Sequence, residues 1–139
     1  MLLHQLPVDV VAEILGHLDL RSLINMSHVS RRLYCVASDE SMNPWRRPIQ
    51  RNLRSACYED ALKHLCVRST VPRANWIEIL SIASPAFILF AATLPNLPAV
   101  DWEECYRRRF LPGWLKYKKE ASWKEAFLKS VALASARAA

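Results

Sequence analysis

Between Leu6 and Trp45 the chain carries three short apolar periodicities, each preceded by a residue suited to starting a helix. Helices this short are not stable singly, so a fold built from them must bring them together. Pro7 fits a first helical position, where its missing N–H is one that a helix leaves unpaired, and Asp9 and Glu13 follow in turns where the helix dipole is positive. Leu6, Val10, Ile14 and Leu18 recur every four residues with Val11 and Leu15 alongside, which predicts one broad apolar face ending at Gly16 and Asp19. Asp19 then caps a second helix, in which Leu20, Leu23 and Ile24 share a face. Ser30 caps a third, carrying Leu33, Tyr34, Val36 and Ala37 before the polar break at Ser38-Asp39-Glu40-Ser41.

The rest of the composition agrees with a helical chain. Of 139 residues only two are Gly and 52% are apolar, with little of the alternation that strands need, so the material for hairpins is missing and an all-α fold is expected. That length allows one compact unit with a small appended region. Cys35, Cys57, Cys66 and Cys105 lie far apart with no CxxC pair and no His at zinc-finger spacing; they read as reduced, partly buried intracellular thiols, and no metal or other cofactor is expected. Asp9 follows the N-terminus almost at once, without a basic region or an unbroken apolar run, so no secretory signal is expected. The net charge of +6 is compatible with nucleic acid, an acidic membrane or an acidic protein and chooses none of them.

The order Leu6-Pro7, Leu18-Asp19-Leu20, Val29-Ser30-Arg31-Arg32 and Trp45 resembles the F-box family. Asp9 stands where the family usually has Glu, and Asn43-Pro44 are inserted before Trp45. The resemblance implies a trihelical F-box over residues 1–48, followed by short packed helices over 49–139. It also implies docking onto a Skp-type adaptor, and through it onto a cullin-RING (SCF) ubiquitin ligase, with an unidentified protein substrate and a cytoplasmic or nuclear location. Leu6 and Pro7 are the first candidates for the adaptor contact, joined by Val10, Ile14, Leu15, Leu18, Leu23, Met26 and Val29 as members of a combined core and interface. A small trihelical unit cannot hide all of its apolar side chains, so one face is left to pack against a partner.

Beyond the F-box, the spacing of Leu53, Cys57, Ala61, Leu62 and Leu65 predicts a helix from Arg51 to Cys66. No charged residue occurs from Ile79 to Val100, a length that a continuous helix could use to cross a membrane. Pro85, Pro95 and Pro98 argue instead for two short helices, Trp76–Ala83 and Pro85–Thr93, the second capped by Ser84, and then a loop over residues 94–98. Trp102, Tyr106, Arg108, Arg109 and Phe110, with Trp123, Lys124 and Phe127, are similar to the Trp-x-x-x-Tyr-x-Arg-Arg-Phe and Trp-Lys-x-x-Phe stretches that follow the F-box in many eukaryotic F-box proteins, fungal ones among them. Trp102, Tyr106, Arg109, Trp114 and Trp123 are accordingly candidates for a substrate surface, or else anchors that hold the small helices together. Residues Val131 to Ala139 are Ala-rich and are expected to fray.

No enzyme is expected. His4, His17, His28 and His64 fall on separate elements, no Ser or Cys stands in a nucleophile motif, and no Gly-rich phosphate loop is present. Two rivals remain at this level. A basic helical DNA-binding protein would use Arg31-Arg32 at the start of the third helix, although the connector lacks the turn Gly often found there. A small membrane-associated protein would use residues 79–100.

Overall fold

The computed structural model describes residues 5–55 and 57–138, which form eleven helical segments and no strand. The caps expected for the second and third helices are both made. The Asp19 carboxylate accepts the Ser22 N–H at 2.8 Å to start α2 (Leu20–Ser27), and the Ser30 hydroxyl accepts the Leu33 N–H at 3.2 Å to start α3 (Arg31–Ser38). Helix α1 spans Val8–Leu15. Pro7 takes the cap position rather than the first helical one, because its ψ of 152° is extended; its carbonyl still accepts the Val11 N–H at 3.0 Å. Helices α1 and α2 both pack on α3.

The residues between α3 and Trp45 form a built turn. The Asp39 carboxylate accepts from the Ser41 and Met42 N–H groups at 2.8 and 3.0 Å, and Asn43 adopts φ of 40°, a left-handed conformation that Asn tolerates. The inserted Asn43-Pro44 thus leaves Trp45 free to bury itself completely and to donate from Nε1 to the Ala37 carbonyl at 2.8 Å.

The long helix expected from Arg51 to Cys66 is replaced by three. Helix α4 runs over Arg46–Ser55, with Pro48 in its first turn, where a missing N–H costs nothing. The expected division after residue 48 therefore falls inside α4. The continuation is broken because the Asn52 side chain reaches forward, accepting the Glu59 N–H at 2.7 Å and donating to its carboxylate at 2.6 Å. Two single-turn helices follow, α5 (Asp60–Lys63) and α6 (Leu65–Arg68).

Helix α7 covers Arg73–Ile82, and the Ser84 hydroxyl caps the next turn through the Phe87 N–H at 3.3 Å. That turn is a π-helix over Phe87–Ala91 and stops before Thr93, whose N–H is taken by the Lys63 carbonyl at 2.7 Å. The apolar stretch from Ile79 is thereby divided, and among the described residues no helix is long and apolar enough to cross a membrane. Helix α8 (Ala99–Arg109), a 3₁₀ segment (Pro112–Tyr117) and α9 (Trp123–Ala138) complete the chain. Helix α4 packs on α7, and α8 packs on both α7 and α9. The stretch from Val131, expected to fray, stays helical through Ala138: Val131 is fully buried, and Ala is the strongest helix former.

Candidate protein-docking site

Helix α1 is apolar on two adjoining sides. Val11, Ala12 and Leu15 enter a core shared with Leu20, Leu23, Ile24, Leu33, Val36 and Ala37. On the other side Val10 and Ile14, one turn apart, remain 39% and 40% exposed, with Pro7 exposed ahead of them. The residues singled out for docking therefore divide. Leu15 and Leu23 are fully buried and fall on the core side of the combined core and interface, as the phase of each helix on α3 dictates. Leu6, Leu18 and Met26 are half-buried, and Val29, between α2 and α3, is 67% exposed.

Polar contacts hold this face from behind. The Arg32 guanidinium donates to the Leu6 carbonyl, pinning the entry segment beside the start of α3. Arg47 of α4 reaches the Glu13 carboxylate at 2.7 Å and holds it below the usual carboxylate range, with His17 at 3.4 Å on the same oxygen. Arg51 donates to the Leu18 carbonyl at 2.7 Å, satisfying an acceptor just past the end of α1. Glu59 accepts the Leu20 N–H at 3.2 Å, at the positive start of α2.

The C-terminal candidates also divide. Trp102 and Tyr106 are 2% and 1% exposed and are core residues rather than surface ones. The Tyr106 hydroxyl donates to the Trp114 carbonyl at 2.6 Å and lies 3.0 Å from the Ser130 hydroxyl, joining α8, the 3₁₀ segment and α9. Trp102 and Phe127 have ring centroids 5.6 Å apart. Arg109 is partly buried and donates to the Leu80 carbonyl at 3.1 Å, tying α8 to α7. Burial lowers its pKa from the usual guanidinium value. Trp114 and Trp123 are half-exposed.

Three polar contacts escaped the sequence reading. Asp101 is buried and pairs with Arg73, which also approaches Glu104 at 3.6 Å. Just after Pro98, Asp101 looks like any acidic residue in a first helical turn, and nothing local points to Arg73. The Asn43–Asn75 amide pair and the Asn52–Glu59 lock likewise join residues too polar to register in an apolar pattern. Among the thiols, Cys35 and Cys57 are exposed, Cys66 is partly buried, and burial drives Cys105 up to about 12. His17, His28 and His64 are exposed, while His4 lies outside the described residues.

Residues 3–51 match the family model described as F-box-like. No curated protein and no solved structure matches the chain. The match spans α1, the capped helices α2 and α3, the buried Trp45 and the first half of α4, and over residues 3–51 the chain carries an F-box-like domain.

Proposed function

We propose that this chain is an F-box adaptor subunit: it binds a Skp-type adaptor through the outer face of α1 and neighbouring residues, and so links a protein substrate to a cullin-RING ubiquitin ligase in the cytoplasm or nucleus. The observation that carries this reading is the pair Val10 and Ile14, two aliphatic side chains about two-fifths exposed on a helix whose other side is already filled. Aliphatic groups held at helical spacing on a rigid support suit a helix-packing partner better than a small ligand. Pro7, Leu6, Leu18, Met26 and Val29 extend the same reading, and the helices after residue 51 serve to present the substrate. The chain acts by binding and not by catalysis, in keeping with histidines spread over separate elements.

The test is coexpression with a Skp-type adaptor followed by size exclusion, with the wild type beside Val10→Asp/Ile14→Asp and Leu6→Ala/Pro7→Ala. A one-to-one complex that both pairs of changes abolish, in variants with unchanged helical circular dichroism, is the expected result. A well-folded wild type that elutes alone would overturn the assignment.

A further inference from the structure

The rings that hold the C-terminal helices together form a ladder, and its outer edge is lined with cations. Centroid separations run 5.2 Å from Tyr117 to Trp114, 5.1 Å from Trp114 to Phe110, 5.0 Å from Phe110 to Tyr106 and 5.8 Å from Tyr106 to Trp123. Arg137 lies 5.5 Å from the Trp114 ring centre and 5.9 Å from that of Tyr117, and Lys116 lies 5.1 Å from Tyr117. At the other end Arg107 and Lys118 lie 5.6 and 5.0 Å from Trp123. Of these four cations only Arg107 has a carboxylate partner among the described residues, Glu103. Lys116, Lys118 and Arg137 rest on aromatic rings, Arg137 also donating to the Tyr117 hydroxyl at 3.1 Å, and because a neutral ring cancels no charge, theirs is available to a ligand.

A small apolar cavity of about 110 Å³ opens midway along this strip, between Tyr106, Phe110, Leu111 and Leu115, with Arg107 at its edge. It has room for one aliphatic side chain. Leu111 at its mouth is 75% exposed. Cations along an aromatic strip interrupted by a single apolar hole describe an extended ligand with anionic groups on both sides of one anchor.

We propose that the strip formed by the end of α8, the 3₁₀ segment and α9 binds an acidic linear peptide segment of a partner protein, with one apolar side chain in the cavity and flanking carboxylate or phosphate groups on Arg107, Lys116, Lys118 and Arg137. A protein segment fits better than a single-stranded nucleic acid. Base stacking needs open ring faces, and here the rings already carry the chain's own cations and one another. That the bound segment belongs to the ubiquitinated substrate rests on the F-box reading; the binding itself does not.

The test uses the full chain and a random-peptide display library, followed by fluorescence anisotropy with the resynthesised best binder. Three derivatives of that peptide separate the contributions: acids changed to amides, acids changed to phosphoserine, and the anchor changed to Ser. Enrichment of acidic residues around one aliphatic or aromatic position, and a loss of about tenfold or more on changing either the acids or the anchor, is expected. Lys116→Glu/Lys118→Glu should lose binding to the same degree while Lys116→Arg/Lys118→Arg keeps it. Stronger binding by phosphoserine would identify phosphate as the preferred anion, and stronger binding by carboxylates would identify Asp and Glu. Selected peptides without acidic bias, an absence of binders, or tighter binding of a poly-dT oligonucleotide at physiological salt would each overturn the proposal. The Lys116→Glu/Lys118→Glu chain should still comigrate with a Skp-type adaptor, so failure of the strip and failure of the adaptor reading are told apart.

Discussion

Asn43 and Asn75 exchange two hydrogen bonds through their side-chain amides, each donating from Nδ2 to the other's Oδ1 at 3.1 and 2.7 Å. The pair joins the left-handed turn before Trp45 to helix α7, and Asn75 is 1% exposed. Asn75→Ala would leave the Asn43 amide without its partner in a part-buried position, and should lower unfolding stability by about 1–3 kcal/mol. A double-mutant cycle with Asn43→Ala, read by urea unfolding, should give a coupling of at least about 0.5 kcal/mol. Additive losses would show that the two amides act independently.

The two sides of α1 should separate stability from docking. Leu15→Ala removes a fully buried side chain and should cost about 2–5 kcal/mol in chemical unfolding. Ile14→Ala, one residue earlier but 40% exposed, should change stability by no more than about 0.5 kcal/mol while weakening the adaptor complex in titration calorimetry. If Ile14→Ala unfolds the chain as Leu15→Ala does, the outer face is not a surface at all.

Acid should loosen the F-box. Glu13 is held below its ordinary value of 4.5 by hydrogen bonding from Arg47, Asp19 below 3.8 by hydrogen bonding from Ser22, and Asp39 below 3.8 by hydrogen bonding from Ser41 and Met42. A carboxyl that ionises more readily in the folded chain than in the unfolded one contributes its full stabilisation above the unfolded pKa. That contribution is lost as pH falls through the folded pKa. The melting temperature should therefore be insensitive to these three groups above about pH 5 and should decline below about pH 4. Asn in place of Asp39 should flatten part of the decline. A melting temperature in Asp39→Asn that falls with acid as steeply as the wild type's would remove Asp39 from the account.

The thiols should react in order of access. Cys35 and Cys57 are exposed, whereas the Cys105 thiol is fully buried and raised to about 12. Iodoacetamide at mildly alkaline pH, followed by peptide mass spectrometry, should label Cys35 and Cys57 in the folded chain and Cys105 only in denaturant. Labelling of Cys105 at a comparable rate without denaturant would mean that α8 opens readily from its neighbours.

What was legible in the sequence was whatever is local. Asp19 and Ser30 announce their helices because a cap is a relation between residues three apart. Ser84 does the same at Phe87. The phase of α1 was not legible: with Val8, Val10, Val11, Ala12, Ile14 and Leu15 in eight positions, the helix is apolar nearly all round, and only packing on α3 selects Val11 and Leu15 for the interior. The start of α4 was hidden by Pro48, which reads as a breaker unless the helix is already known to begin just before it. The break after Ser55 and the early stop before Thr93 both depend on a bond to a residue elsewhere in the chain, Glu59 in one case and Lys63 in the other. Tyr106 and Trp102 had the composition of a recognition surface, and their burial follows from the placement of α9, which no spacing within α8 encodes.

The Glu59 carboxylate is shared: one oxygen holds the first N–H of α2 and the other holds Asn52 of α4, while Pro48 and Ile49 of α4 are buried in the same structure. There is consequently no swivel where the F-box-like match ends. A cargo held by the C-terminal helices would be carried at a fixed bearing and radius from the adaptor, as on a bracket and not on a tether. Which of its lysines receives ubiquitin would then be decided by where the cargo's surface happens to face, and lengthening the chain after Ser55 with a flexible insert should blur that choice before it weakens either attachment.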